Sequence, residues 1–397
     1  MHKTSGHSIV PEKVVHIIRK KSRQAHCWIF SNETRRTEGN PVAGDTVLVY
    51  ERGKLVGSGL YNPNSLIQIR LYSHQNEEFD LDFVKKRINN AYQYRKNVLP
   101  TEEDFRLVFG ESDFLPGIVV DKYNNHYVIQ TFTLGAELRK ELICQALKEL
   151  FPVKSIFEKN DFRLRELENL PRQEGLLYGE LEDRVVISEN QAKFLVDIKT
   201  GQKTGYFYDH RLTRAKVRAL SQGKDVLDVF SYTGGFSINA ALGGAKTVTG
   251  IDGSQLAINL AYENAQLNHV EKICKFEVGD AFSLLRNYVK EKRSYDLIIL
   301  DPPPFIKSLK EKRKGQKGYK EINLLAMKLL NNGGILVTSS CSHYLFWQDL
   351  LNILIEAASD CKRNFKIINR TTQGPDHPIL LSMPETEYLR CFFLAVF

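Results

Sequence analysis

The sequence predicts an α/β protein ending in a doubly wound, mixed sheet, preceded by a small β-rich unit and an α+β middle domain. Two observations carry the prediction. From about residue 190, "DVLDVF", "TVTGID", "CKFEVGD", "YDLIILD" and "GGILVTSS" are near-continuous apolar strands, each followed by a helical stretch. Apolar strands alternating with helices describe a parallel sheet covered on both faces. The last two strands, "FKIINRT" and "LRCFFLAVF", have no helix between them and read as a closing antiparallel hairpin. At 397 residues the chain is too long for one ordinary core, so two or three domains are expected.

Residues 1–75 read as the β-rich unit, because "DTVLVYERGKLVGSGLYNPNSLIQIRLYS" alternates β-branched stretches with Gly, Asn and Pro turns. Just before it, "RKKSRQAHCWIFSNETRR" interleaves cations with Trp28 and Phe30. That mixture suits a nucleic-acid surface, with a core tryptophan among solvated charges as the plainer reading. Residues 76–190 form the middle domain. A helix there carries Leu81, Val84, Ile88 and Ala91 on one face and ends before Pro100. "GIVVDKY" and "HYVIQTFT" pair through Asn124-Asn125, a helix with Leu138, Leu142, Ala146 and Leu147 follows, and "KSIFEKN" and "RVVISEN" add strands.

Composition is that of a globular protein, 42% hydrophobic and 26% charged, with no apolar run of membrane-spanning length and no signal-like start. The six cysteines lie scattered, without a C-x-x-C pair. This argues against a metal site or disulfide framework and for a reducing cytoplasm. A formal charge of +8 tilts the partner toward something anionic.

Ligands of doubly wound sheets sit at the strands' carboxyl ends, near the reversal of strand order. Those ends read "DVFSYTGGFS", "GIDGS", "VGDAF", "LDPPPF" and "TSSCS". Gly234-Gly235 lets backbone approach a ligand, but it is not a dinucleotide fingerprint, and no pyrophosphate cradle accompanies it. Asp252 is placed to accept from ribose hydroxyls and Asp280 to meet an adenine amino group, although both precede helices and could be plain N-caps. Together they favour a nucleoside-bearing cofactor without a diphosphate, which S-adenosylmethionine fits.

With these residues in view the sequence resembles the class I S-adenosylmethionine-dependent rRNA methyltransferases. Within them it is most similar to the ribosomal RNA large subunit methyltransferase I family, which makes 5-methylcytosine. "HCWIFSNE" and "YNPNSLIQIR" look like the start and end of that family's PUA-like RNA-binding domain, and "ESDFLPGIVVDKY" like the opening of its middle domain. "FLVDIKTGQKTGYFYDHR", "DVFSYTGGFS", "DPPPF", "GGILVTSSCS" and "DHPILLSMPETEYL" match its catalytic domain. Cys27 and the "NET" of "SNET" depart from the family's pattern in the PUA-like part.

The resemblance implies a Rossmann-like methyltransferase domain over residues 191–397. It places Asp228, Tyr232, Gly234, Gly235, Asp252 and Asp280 around the cofactor, with Gln202, Lys203, Thr204, Gly205 and Phe207 near it. The expected substrate is large-subunit (23S) rRNA, naked or as a ribosomal assembly particle, met in the cytoplasm without a membrane; a homodimer stays open.

C5 of cytosine is a poor nucleophile until a thiolate adds to C6. Of the six cysteines, only Cys341 sits at the carboxyl end of a catalytic-domain strand, so it is the expected nucleophile. Asp301 is expected to hold the cytosine N3/N4 edge, with Pro302 and its neighbours fixing its direction and Phe305 stacking on the flipped base. In "FIKSLKEKRKGQKGYK", Lys307, Lys312, Arg313, Lys314 and Lys317 belong to a basic loop suited to grip an RNA backbone. "DPPPF" holds no second cysteine and resembles the motif of enzymes that methylate base nitrogens. A base-nitrogen methyltransferase is therefore the alternative, and a non-catalytic RNA-binding protein on the same fold is a third reading.

Overall fold

A computed structural model describes residues 12–20, 23 and 25–397. They fall into two compact units, one of residues up to Thr101 with Phe105–Glu182 and Pro378–Thr386, the other of Glu102–Asp104, Asp183–His377 and Glu387–Phe397.

In the first unit, β1 (Val14–Ile17), β2 (Trp28–Phe30), β3 (Thr34–Glu38), β4 (Thr46–Glu51), β5 (Lys54–Tyr61) and β6 (Ile67–Ser73) form one sheet in the order β2-β6-β5-β4-β1-β3. Arg52 and Gly53 join β4 to β5 with φ of 52° and 75°, the left-handed pair that a two-residue hairpin needs to match strand twist. Val15, Ile29, Val49 and Ile69 fill its core.

The helix α1 (Leu81–Val98) is capped by Asp80, whose side chain accepts from the Phe83 amide at 2.8 Å, and it buries Val84, Ile88 and Ala91 as its spacing predicted. It precedes β7 (Phe105–Phe109), β8 (Ile118–Tyr123), β9 (His126–Thr131), α2 (Leu134–Glu137), α3 (Lys140–Leu150), β10 (Ser155–Asn160) and β11 (Gln173–Gly179), a second sheet ordered β11-β10-β9-β8-β7. The Asn124-Asn125 hairpin forms as expected. Leu138 does not join the apolar face of α3. It ends the separate turn α2, whose N-cap Thr133 starts a helix too early for that register, and it is exposed.

The aromatics of the amino-terminal basic stretch are engaged within this unit. The Trp28 indole N–H donates to Glu111 at 2.7 Å, Arg70 pairs with the same carboxylate at 2.8 Å, and Arg23 stacks on Phe30 at 4.2 Å. Trp28 is half-buried against the core of this sheet; positions 21, 22 and 24 of that stretch lie outside the described residues.

The second unit opens with the hairpin β12 (Val185–Glu189) and β13 (Ala192–Val196). "RVVISEN" was expected in the middle domain. It pairs instead with β13, and Glu189 at its end is clasped by Arg214. There follow α4 (Arg211–Leu220), β14 (Asp225–Val229), α5 (Gly235–Leu242), β15 (Thr247–Asp252), α6 (Gln255–Leu267), β16 (Cys274–Val278), α7 (Ala281–Lys290) and β17 (Tyr295–Leu300). The chain closes with α8 (Lys312–Leu329), β18 (Leu330–Ser340), α9 (Trp347–Asp360), β19 (Phe365–Thr371) and β20 (Arg390–Val396).

These strands order as β16-β15-β14-β17-β18-β20-β19. The five from β14 to β18 run parallel, and β20 lies antiparallel to both β18 and β19, giving the predicted mixed sheet. The order reverses between β14 and β17, so a ligand crevice is expected at their carboxyl ends. Apolar strands such as Leu297–Leu300 are buried because α4–α6 pack as one layer and α7–α9 as another. No helix among the described residues is long and apolar enough to cross a membrane.

Candidate active site

Beyond β14 the backbone enters the left-handed region at alternate residues, with φ of 67° at Phe230, 47° at Tyr232 and 85° at Gly234. Two of these are bulky side chains, and such strain persists only where the surroundings enforce it. Here they do. The Phe230 and Ser231 amides both donate to the Ile251 carbonyl at 2.9 Å. The Tyr232 amide donates to Asp252 Oδ2 at 2.9 Å, and the Gly234 amide donates to the Ser231 carbonyl at 2.8 Å. A Cβ on Gly234 would lie 3.3 Å from Ala261, so this turn admits no side chain easily.

Tyr232 also reaches the "GQKTG" segment. Its hydroxyl accepts from the Gln202 amide at 3.0 Å and donates to the Gly205 carbonyl at 3.3 Å, while its ring meets Phe207 edge-on at 5.3 Å. Lys203 lies over the Phe207 ring at 4.7 Å, and Thr204 is buried. The residues assigned to one site from separate motifs are therefore brought together, and Tyr232 is the link.

Asp252 is not a helix cap. Ser254 caps α6, and Asp252 instead accepts the Tyr232 and Ser254 amides, one on each oxygen. Asp280 does cap α7, accepting from the Ser283 amide at 2.9 Å, and it remains exposed. Asp228 is fully buried. Its Oδ2 accepts from the Ser237 amide and hydroxyl at 2.9 and 2.6 Å, while Oδ1 has no partner. Burial pushes its carboxyl up to about 7 despite Ser237, and the charges of Asp301 and Asp252 push the same way. A buried, half-satisfied carboxylate among other carboxylates suits a cationic ligand. S-adenosylmethionine, with its sulfonium and ammonium, has that charge.

Asp301 follows β17, with its amide donating to the Val229 carbonyl at 3.3 Å. The strand register pairs Leu300 with Thr338, so Asp301 stands level with Ser339, whose hydroxyl donates to Asp301 Oδ1 at 2.5 Å. His210 Nε2 lies 3.0 Å from the same oxygen. Burial would raise the Asp301 carboxyl, but His210 and Ser339 outweigh it and hold it below the usual range. Burial likewise opposes the charged form of His210, yet Asp301 and Asp209 raise it above the ordinary imidazole value.

Cys341 comes just after β18 and is partly exposed, whereas Cys27, Cys274 and Cys391 are buried. Burial pushes its thiol up to about 11. Lys203 pulls the other way, and the neighbouring Asp301 and Asp209 add to the rise. The sequence led to a thiol held as thiolate; the fold supplies one that is protonated at neutral pH, because burial, helped by the two aspartates, outweighs the lysine beside it.

Two expectations are corrected around "DPPPF". Pro302 is buried as a stiff support should be, but Phe305 is not a free platform. Its ring packs on Tyr319 at 4.8 Å, Phe282 at 5.8 Å and Phe230 at 6.4 Å. The basic run is not a loop. It forms a 3-10 turn at Leu309–Glu311 and then the first turns of α8. Gly315 sits inside this helix, where a Cβ would meet Ile306 Cγ1 at 2.4 Å. Lys312 pairs with Asp349 at 2.9 Å, and Lys307, Arg313, Lys314 and Lys317 are exposed.

Sequence reasoning gave no role to Asp209 or His210, both inside the quoted "GYFYDHR". The Tyr388 hydroxyl donates to Asp209 Oδ2 at 2.7 Å, and His377 is buried against Asp376 at 3.1 Å. A histidine beside an aspartate was the available signal, but its partner Asp301 is remote in sequence.

The fold and this site define an S-adenosylmethionine-dependent methyltransferase, and residues 172–382 match the family of that description. Residues 18–74 match the PUA-like domain. The chain belongs to the ribosomal RNA large subunit methyltransferase I family. Its Erwinia tasmaniensis relative of that name is 38% identical over 383 residues, covering 95% of this chain and 97% of the relative. The Tolumonas auensis one is 41% identical, covering 94% and 95%. A Streptococcus mutans structure, provisionally assigned as an S-adenosylmethionine-dependent methyltransferase, shares the fold with a TM-score of 0.82 at 21% identity, covering 96% of this chain and all (100%) of its own. A methyltransferase structure complexed with S-adenosylhomocysteine gives 0.83 at 21% identity, covering 96% and 99%.

Proposed function

We propose that this protein methylates C5 of a cytosine in large-subunit rRNA, with Cys341 as the nucleophile at C6. The observation that carries the proposal is a partly exposed thiol at the end of β18, beside an ionised Asp301 at the end of β17 and next to the crevice. S-adenosylmethionine supplies an electrophilic methyl group there. Asp228, Asp252 and Asp280 suit its charged and ribose-adenine parts, and the Tyr232 loop suits its backbone contacts. His210 and Ser339 both hold Asp301 Oδ1, which leaves Oδ2 for the N3/N4 edge of a base. The exposed cations on either side of the 3-10 turn before α8 suit an RNA backbone.

The test is nucleoside mass analysis of unmodified rRNA, and of large-subunit particles, after incubation with methyl-labelled S-adenosylmethionine. Label in 5-methylcytosine supports the reading. Label in an N-methylated base, or none on either substrate, overturns it, and the first result would favour direct methyl transfer at "DPPPF".

Asp252→Asn tests the cofactor side. The change removes one charged acceptor while keeping the side chain's shape. A hydrogen bond to a charged group contributes about 1.5–3 kcal/mol, so calorimetry should show S-adenosylhomocysteine binding weakened roughly tenfold to a hundredfold.

A further inference from the structure

Addition of a thiolate to C6 moves an electron pair onto N3 of cytosine, and that nitrogen must take a proton as the S–C6 bond forms. Asp301 is the group suited to face N3, yet it is held in its ionised form and has no proton of its own to give. The neighbouring buried ring has one. His210 lies in the 3-10 turn Tyr208–His210, is 4% exposed, and is covered edge-on by Phe236 at 5.3 Å. Its Nε2 is 3.0 Å from Asp301 Oδ1, and its Nδ1 has no hydrogen-bond partner. A proton on Nε2 therefore leaves by way of the Asp301 carboxyl group.

We propose that His210 is a positioning residue that holds the proton which the Asp301 carboxyl relays to N3 when Cys341 adds to C6. The inference rests on the cytosine-5 reading above. In the step, sulfur's lone pair forms the S–C6 bond, the C5=C6 pair moves to C4=C5, and the C4=N3 pair becomes the N3–H bond. The proton leaves the Nε2–H bond of His210 for Asp301 Oδ1. The new O–H turns toward the base and is broken as N3–H forms, while Oδ2 accepts from the N4 amino group. His210 is left neutral, with its remaining proton on Nδ1. After methylation the C5 proton leaves to an outside base, the C–S bond breaks, and N3 returns its proton by the same route. The proton is borrowed, so the chemistry balances without another reactant.

The charged groups around the pair agree with this role. His210 faces Asp301 from the end of β17, Asp209 within its own turn and Arg214 from α4. Asp209 in turn faces Lys203 and His377, and Asp301 lies near Asp228 and Cys341. The two aspartates outweigh burial and Arg214, so the ring keeps its proton above its ordinary range.

The test uses His210→Gln, whose amide can still donate to Asp301 but cannot hand over a proton. S-adenosylhomocysteine binding by calorimetry serves as the folding control. With RNA carrying 5-fluorocytosine at the target, methylation cannot be followed by loss of the C5 substituent, so the protein–RNA adduct accumulates and its rate of appearance reads the addition step. General acid catalysis contributes about 100-fold or more, and His210→Gln should slow adduct formation by about that factor.

In the wild type this rate should climb with pH and level off where His210 deprotonates; in His210→Gln the break should vanish. Histidine-selective NMR of the protein without RNA should show the His210 ring titrating above 6.5, and lower in Asp301→Asn. A wild-type rate and pH profile in His210→Gln overturns the proposal. So does a His210 ring that stays neutral across the active pH range, which decides the matter even if the variant does not fold. Active Cys341→Ala, or a wild-type product other than 5-methylcytosine, would instead mark failure of the underlying reading.

Discussion

Replacing Cys341 by alanine is expected to lower 5-methylcytosine formation by at least about 10⁴-fold while leaving S-adenosylhomocysteine binding within about twofold. Removing the nucleophile of a covalent mechanism takes away its whole low-barrier route, as deletions of other catalytic nucleophiles show. The cofactor side should be spared, because the loop Phe230–Gly234 and Asp252 are held by each other and not by the thiol. Serine should not rescue, since a hydroxyl is far harder to ionise than a thiol. The thiol's rise to about 11 gives the pH dependence its sign. At neutral pH only a small fraction is thiolate, so the wild-type rate should climb about tenfold per pH unit until His210 loses its proton. Single-turnover methylation of rRNA across pH checks both points. Survival of activity in Cys341→Ala would assign the chemistry to a base nitrogen.

The second large effect is on stability. Arg214→Ala should cost roughly 3–5 kcal/mol, because it leaves a buried carboxylate with only the Tyr206 hydroxyl at 3.3 Å and Arg211 at 3.9 Å. Arg214 donates to both oxygens of Glu189, at 2.5 and 2.7 Å, and to the Phe207 carbonyl at 2.7 Å. Glu189 is fully buried and Arg214 nearly so. For a unit of this size each kcal/mol moves the melting temperature by about 2–4 °C, so thermal unfolding should fall by about 6–20 °C. A double replacement, Arg214→Met with Glu189→Leu, should recover part of the loss, since it removes the uncompensated carboxylate while Arg211 keeps its pair with Glu102 at 2.7 Å. A single variant melting within 2 °C of wild type would show that water or a shifted side chain satisfies Glu189.

These two cases mark what the sequence made legible. The strand ends were readable because buried parallel strands are apolar throughout and stop abruptly at polar residues, as "YDLIIL" does before Asp301. Cys341 could be singled out for the same reason. The partners of those residues were not readable. His210 reaches Asp301, and Glu189 reaches Arg214, only after the chain has folded, and neither pair has a local pattern. The basic run that was read as a loop is helical in spite of Gly315, a residue type that weakens helices. That glycine sits within α8 because Ile306 and the Phe305 backbone need the space. Asp252 looked like a cap from its place before a helix, but Ser254 two residues on takes that job.

The strand that ends immediately before Cys341 has a neighbour on each side, β17 running with it and β20 against it. Backbone paired along both edges is among the last to open in a folded unit. In the proposed mechanism the attacking sulfur, one residue beyond this doubly paired strand, has little freedom to search for its target. On the proposed cytosine-5 reading, most of the travel falls to the other party: the base must swing out of its stack and be delivered to that point. Tolerance for sloppy delivery is then small, so on that reading the choice among many cytosines in a long RNA would be made by which one can be carried to that point, before any bond is formed.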